Sequence, residues 1–327
     1  MEDRKIAVIG AGQLGSRHLQ SLAVLDRDFQ LFAVDPNIQN LELAQGVYEK
    51  SRSNSSPSLR LADSLADLPR RLDVVILASS SKPRIGILRE LERLKFEPKY
   101  AVLEKVLFPN RAEYEEAGNL FSSMGTSAWV NCNKMINSPF FNVVKEKKKE
   151  DPHSKLHLEI SGSDWGLACN SIHFIDVFAD LCGTNRITLD NSGLDKIVFP
   201  SKRPGYIELS GVLSGVSENG DGIRILDEKG KGLPLSIDIR FGRNSIEAKQ
   251  NSDRYEVTDS SNQKLNYPIL YQSQLTSEIV GSLIATGDCK LPGYDWNASL
   301  HLSLLSSFID HLESLGFNDP LYECPIT

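Results

Sequence analysis

The feature that most constrains this chain is the hexapeptide Gly10-Ala11-Gly12-Gln13-Leu14-Gly15, set directly after the apolar run Ile6-Ala7-Val8-Ile9. An uninterrupted apolar run of strand length belongs to a parallel sheet buried on both faces. The glycines that follow fit G-x-G-x-x-G, and Leu19, Leu22 and Ala23 then recur at helical spacing. In a strand–turn–helix of this kind, Gly10 permits the tight turn and Gly12 lets the backbone approach a pyrophosphate. Gly15 lets the helix lie close to the strand. The helix N-terminus, with Gln13 and Leu14 in its first turn, offers N–H groups and a partial positive charge to phosphates. A second apolar run, Leu31-Phe32-Ala33-Val34, ends in Asp35, 20 residues beyond Gly15. A carboxylate there accepts hydrogen bonds from ribose hydroxyls and repels a 2′-phosphate. Pro36 and Asn37 follow, with no arginine to hold that phosphate. The expected cofactor is NAD, with NADP less favoured.

Two further runs, Asp73 to Ala78 and Tyr100-Ala101-Val102-Leu103, flank a stripe of Ile85, Leu88, Leu91 and Leu94 at helical spacing. Strands alternating with helices predict βαβ units, with Ser51 to Ser58 as a surface loop. Beyond residue 130 the texture changes. Leu156 to Ile160 and Ser236 to Phe241 alternate apolar and polar residues, the period of a sheet with one wet face. Turn sequences Glu218 to Gly222, Lys229 to Gly232 and Gly242 to Asn244 punctuate it. The expectation is an α/β protein: a doubly wound parallel sheet over residues 1–130, then an α+β domain with a large, mainly antiparallel sheet over 131–327. Helices near 168–182 and 271–285 are expected on that sheet. A last helix, about 297–315, is a candidate to return to the first domain. The lysines between Lys145 and Lys149 read as a solvated helix end.

The 327 residues suffice for two such cores. No apolar run approaches bilayer-crossing length, and Met1-Glu2-Asp3-Arg4 does not open a signal peptide. The five scattered cysteines suggest reduced thiols in a cytoplasmic protein, with no disulfide frame and no metal site. A net charge of −7 argues against a nucleic-acid partner.

Two places offer chemistry. The fourth strand ends in Glu104-Lys105-Val106, and ligands of open parallel sheets sit beyond the carboxyl ends of strands. Lys105 is therefore either a donor to a substrate oxygen or a solvated strand-end lysine. In the segment 165–176, helical spacing puts Cys169, His173, Asp176 and Asp180 on one stripe. A histidine with a carboxylate one turn on can move a proton; an ordinary polar face has the same spacing. Trp165, Tyr294 and Trp296 could stack on a sugar or simply pack, and His301, among leucines, reads as structural.

Together these residues resemble the Gfo/Idh/MocA oxidoreductases, the glucose–fructose oxidoreductase and inositol dehydrogenase family. The likeness spans Gly10 to Gly15, Asp35-Pro36, Glu104-Lys105 at the family's E-K-P motif, and His173 to Asp176 at its H-x-x-D. It implies hydride transfer between nicotinamide and a sugar or nucleotide-sugar carbon. It also implies homo-oligomers, dimers or tetramers, through the open sheet. By the same resemblance Lys105 polarises the reacting oxygen and His173 is the acid/base. Ser79, Ser80 and Glu104 join the cofactor contacts. Three departures stand out: Val106 replaces the motif's proline, Cys169 replaces an aspartate, and Lys82-Pro83-Arg84 is unlike the family's loop. The last could meet an anionic substrate or be a surface pair. The missing aspartate keeps a second reading open, a catalytically impaired dinucleotide sensor or scaffold. A third, reduction of a cyclic imine or tetrapyrrole, has no specific residue behind it.

Overall fold

The computed structural model describes residues 4–317 and 323–327. In chain order the first elements are β1 (Arg4–Ile9), α1 (Gln13–Leu22), β2 (Phe29–Val34), α2 (Ile38–Ser51), β3 (Ser58–Ala62), β4 (Arg71–Leu77), α3 (Ser81–Arg93), β5 (Glu97–Leu103), α4 (Ala112–Met124) and β6 (Ser127–Val130). There follow α5 (Lys134–Asn137), α6 (Phe140–Glu150), β7 (Leu156–Gly162), α7 (Leu167–Cys182), β8 (Ile187–Leu194), β9 (Phe199–Pro200), β10 (Ile207–Glu208), β11 (Gly211–Ser217) and β12 (Gly222–Asp227). The last are β13 (Ser236–Phe241), β14 (Asn244–Gln250), β15 (Arg254–Asp259), β16 (Lys264–Pro268), α8 (Gln272–Thr286) and α9 (Tyr294–Ser314). The chain forms two compact units. One comprises residues 1–108, 112–131 and 270–294; the other comprises 109–111, 132–269 and 295–327.

The first unit is built on six parallel strands in the order β3-β2-β1-β4-β5-β6. Its centre is the set of runs that never alternate: Ile6, Ala7, Val8, Val74, Ala101 and Leu103 are all wholly buried. Each of the valine, leucine and isoleucine side chains among them contributes about 1.5–3 kcal/mol by leaving water. The strand order reverses between β1 and β4, which opens a crevice at their carboxyl ends. β3 and β6 are additions to the four strands expected from the sequence. Ser58-Leu59-Arg60-Leu61-Ala62 lies at a sheet edge and alternates, and β6 is only four residues long. Helix α8, expected on the antiparallel sheet, packs instead on α1 in this unit, where Ser277 N donates to Ser21 Oγ at 3.0 Å. The cause is polar: His18 and Ser21 on α1 are buried, and α8 brings the Thr276 and Ser277 groups that satisfy them.

The second unit carries eight strands in the order β16-β15-β14-β13-β7-β12-β11-β8. All pairs are antiparallel except β7 with β12. Leu156, Leu158 and Ile160 are buried beneath α7, while His157 and Glu159 turn to the other face with Arg224, Asp238 and Arg240. α9, the helix considered for a return to the first domain, belongs here, tied to β8 by Asn191 Nδ2 donating to Ser307 O at 2.6 Å. The Lys145 to Lys149 run is not simply solvated. Lys145 pairs with Asp180, Lys147 with Asp259, and Lys148 bonds the carbonyls of Asp151 and Pro152. Asp180 and Asp259 come from neighbouring elements, and the two carbonyls follow the end of α6 itself, so the charges anchor the helix and close its C-terminus. Among the described residues no helix is long and apolar enough to cross a membrane.

Candidate functional site

At the crevice of the parallel sheet the glycine turn does what its spacing implies. Gly10 has φ +95°, and a Cβ there would sit 2.7 Å from Ser79 N, so β1 and β4 approach backbone to backbone. A Cβ on Gly15 would collide with Gly10 O, which fixes how tightly α1 closes on its strand. Gly12 is the N-cap of α1, receives no side-chain cap, and has open space where its side chain would be. The first N–H groups of α1, those of Gln13 and Leu14 among them, therefore face room for a phosphate rather than a side chain. Beside them, the Ser79 hydroxyl is buried and without a hydrogen-bond partner among the described residues. An orphaned hydroxyl and an uncapped helix end at the switch point fit a dinucleotide. Ser80 is the N-cap of α3, again without a side-chain cap bond.

Asp35 is 7% exposed and already engaged. Its Oδ2 accepts from Ala11 N at 2.8 Å, its Oδ1 from Asn37 N at 2.9 Å, and Asn40 Nδ2 lies 3.1 Å from both oxygens. The two backbone bonds lock the glycine turn to the end of β2. Asn40 occupies the remaining lone pairs, the ones a ribose would use.

Beyond β5, Lys105 is half-buried, and its peptide bond to Val106 is cis. Glu104, read from sequence as a cofactor contact, is not directed outward. It is 4% exposed, its Oε1 is 2.9 Å from His18 Nε2, and it also accepts from Asn131 Nδ2. His18 Nδ1 meets Thr276 Oγ1 at 2.9 Å, and Asn131 Nδ2 donates to Gln272 Oε1 at 2.8 Å. Burial alone would raise the Glu104 carboxyl, but His18, Asn131 and the Lys105 charge overcome it and hold it below its ordinary value. Glu104 thus acts as an anchor for the strand end that bears Lys105.

Arg84 meets neither of its sequence expectations. It is wholly buried, while Lys82 at the same helix start is exposed. Arg84 Nη1 donates to the carbonyls of Val106 and Leu107, each at 2.6 Å, and Nη2 to that of Ser79. One guanidinium therefore joins the segment after Lys105 to the end of β4, satisfying three carbonyls that no ladder reaches.

In the second unit, α7 starts at Gly166, whose φ is +83°. Its first N–H groups are taken by carboxylates: Asp227 Oδ2 accepts from Gly166 N and Leu167 N, and Glu208 Oε2 from Ala168 N. Asn170 caps inward onto Trp165 O at 2.8 Å. The stripe expected from spacing is then divided by burial. Cys169 is 8% exposed and His173 half-buried. Asp180 leaves the stripe for Lys145. Asp176 is buried, with Oδ1 accepting from Asn297 Nδ2 of α9 at 2.8 Å. Burial, moderated by Asn297 and reinforced by the Asp180 charge, lifts the Asp176 carboxyl to about 7. Asp176 is therefore a buried acid on the turn after His173 that titrates near neutrality, not an ordinary ionised surface carboxylate. Lys105 stands on the first unit and Cys169, His173 and Asp176 on the second.

The aromatic candidates resolve toward packing. Tyr294 donates to Tyr114 O at 2.7 Å and sits edge-on to Phe121; Trp165 donates to Leu226 O and sits edge-on to Phe174. His301 is buried with Nδ1 at Asn297 O. No cluster of His, Cys, Asp or Glu able to hold a metal ion occurs among the described residues.

No protein-family model and no curated protein matches this sequence. Solved structures do match in fold. One is a UDP-N-acetylglucosamine 3-dehydrogenase from Acidithiobacillus ferrooxidans, 12% identical, covering 94% of this chain and 97% of that one at TM-score 0.68. Another is a dehydrogenase from Bordetella pertussis in complex with NADH and UDP-GlcNAcA, 14% identical, over 93% and 94% at 0.64. A 3-ketoreductase from Actinomadura kijaniata with NADP is 13% identical, over 93% and 96% at 0.66. The chain shares its fold with these structures over nearly its full length, as the resemblance to the Gfo/Idh/MocA oxidoreductases implies.

Proposed function

We propose that this protein is an NAD-dependent oxidoreductase that moves a hydride between nicotinamide and a hydroxyl- or keto-bearing carbon of a sugar or nucleotide sugar. The observation that carries the reading is the crevice between β1 and β4. There an uncapped α1, Gly10, Asp35 and the orphaned Ser79 hydroxyl converge, one strand away from Lys105. The solved structures of this fold support it, since they include complexes with NADH and with NADP and a dehydrogenase of a nucleotide sugar.

Asp35 and the N–H groups of α1 would hold the dinucleotide, with Ser79 and Ser80 beside it. When bound, the nicotinamide supplies a carbon that accepts or returns the hydride. Lys105 donates a hydrogen bond to the reacting oxygen, stabilising negative charge as the C–H bond weakens. His173 takes the hydroxyl proton in oxidation and returns it in reduction. Arg84 and the His18–Glu104 pair keep the Lys105 backbone from drifting. Asp176, its carboxyl raised to about 7, places less negative charge beside the His173 turn than an ordinary aspartate would. NAD rather than NADP follows from the carboxylate of Asp35, and a dimer or tetramer through the charged sheet face of Glu159 and Arg224 completes the reading. These parts leave Cys169 without an acid/base role.

The test is direct. NAD and NADP affinities are measured by fluorescence, and NADH formation is then followed over a panel of sugars and nucleotide sugars. Tighter NAD binding with turnover of at least one sugar is expected. Tight NAD binding with no turnover across the panel would favour the impaired sensor instead.

A further inference from the structure

Lys134 is an unusual lysine. It begins the one-turn helix α5, which packs against α7, and part of its side chain remains accessible. Its ammonium donates to Tyr255 Oη at 2.8 Å and lies 5.3 Å from the ring centroids of both Phe174 and Tyr255. Tyr255 is wholly buried and passes its own hydroxyl proton to Gln250 Oε1 at 2.9 Å, so its oxygen is oriented to accept from Lys134. Among the described residues no carboxylate lies within 4 Å of this ammonium, although the lysines at 145 and 147 each have one. Desolvation without a counter-ion lowers Lys134 from its ordinary value to about 8.

A cation held in an aromatic box retains some electrostatic stabilisation, yet two of its three N–H donors have no protein acceptor among the described residues. A buried charge without a partner is costly, and side chains perturbed in this way cluster at functional sites. The surroundings add to the argument. Phe174, which forms one wall, directly follows His173 in α7. The carboxyl of Asp176, on the same turn, is lifted to about 7 and carries only part of its charge at neutral pH, and Asp180 pairs with Lys145. The helix end that would otherwise attract an anion is filled by Asp227 and Glu208.

We infer that Lys134, backed by Tyr255 and Phe174, is a binding site for an anionic group, the carboxylate or phosphate of an acidic sugar substrate. The inference rests on the dehydrogenase reading only in calling the occupant a substrate; the site itself is defined by the second unit alone. An ammonium with two open donors matches two oxygens of such a group, and the anion supplies the missing counter-charge. A neutral sugar offers neither.

The site is tested by nuclear magnetic resonance on the full chain carrying 13C-labelled lysine, with the Lys134 side-chain signal assigned by its absence in Lys134→Arg. At pH 7 the protein is titrated separately with glucuronate, glucose 6-phosphate and glucose. A saturable shift of the Lys134 signal by glucuronate, at least ten-fold tighter than by glucose, identifies a carboxylate site. The same response to glucose 6-phosphate alone identifies a phosphate site. Lys134→Met should lose that preference, read by calorimetry with the same three sugars, and Lys134→Arg should retain it. Identical responses to all three sugars, or none to any, overturn the inference. Because no step reads turnover, an inactive enzyme with a responsive Lys134 separates failure of the dehydrogenase reading from failure of the site.

Discussion

His18 Nε2 lies 2.9 Å from Glu104 Oε1, joining two residues 86 positions apart that are both buried. His18 sits on the helix that opens at the glycine turn, and Glu104 immediately precedes Lys105. The pair therefore couples the dinucleotide end of the sheet to the strand end that carries the proposed catalytic lysine. His18→Leu removes one of the hydrogen bonds to Glu104 and should cost about 1–3 kcal/mol. The pH dependence has a definite sign. A carboxyl held below its ordinary value stabilises the fold above the unfolded value of about 4.3 and loses that contribution as pH falls further. Urea midpoints should drop more steeply below pH 4.3 in the wild type than in Glu104→Gln. Parallel acid profiles would refute the pairing.

Asp176 has the opposite sign. Its folded-state value of about 7 exceeds that of an unfolded aspartate, so between about pH 4 and 7 the folded chain holds a proton that the unfolded chain releases. Stability from this group falls as pH rises through that window, by up to about 1.4 kcal/mol per unit. Asp176→Asn keeps an acceptor for Asn297 and removes the titration. It should gain about 1–3 kcal/mol on the wild type at pH 8 relative to pH 5. Equal gains at both pH values would contradict a proton-retaining Asp176.

Arg84→Met should lower both stability and turnover. Three carbonyls lose their donor, and each unsatisfied group costs about 1–3 kcal/mol. Because two of the three lost contacts follow Lys105 and only the Ser79 carbonyl lies on the cofactor side, kcat should fall more than NAD affinity does. Arg84→Lys, which can reach one carbonyl but not all three, should recover stability only in part. Equal losses in kcat and NAD affinity would argue that Arg84 acts on the cofactor side.

At Asp35, replacement by serine removes the charge that repels a 2′-phosphate and the anchor of the glycine turn. NAD affinity should fall ten-fold or more while NADP binding changes little or improves, as read by fluorescence titration. Asn40→Ala frees the lone pairs that a ribose would use and should leave NAD affinity equal or higher. A large loss of NAD affinity in Asn40→Ala would place Asn40 itself against the ribose.

Much of this architecture is written in period and punctuation. β1, β2, β4 and β5 are legible because unbroken apolar runs have one use in a sheet, and Gly10 and Gly15 because no other residue fits their backbone. β3 and β6 are not, since an alternating edge strand and a four-residue strand look like loops. The placement of α8 depended on polar partners for His18 and Ser21. A histidine three residues past Gly15, on the face shared with Leu19 and Leu22, was the available sign. Asn131, Asn297 and Lys134 carry no sequence signal, and Arg84 reads only as a substrate contact or a surface charge, for a common reason. Each acts by what it meets across long sequence separations, and a charged residue at a helix start reads as solvated until burial is known. The same holds for Glu104 and Asp176, both read as site residues, whose carboxylates turn inward to His18 and Asn297.

The central claim, that Lys105 handles the reacting oxygen, is tested most directly by NADH absorbance in wild type and Lys105→Met over one panel of neutral and acidic sugars, with NAD affinity measured in parallel. The account predicts NADH formation by the wild type with at least one sugar. It predicts a loss of about 10²–10⁴-fold in the variant, with NAD affinity unchanged within two- to three-fold. Wild-type turnover by Lys105→Met would contradict it.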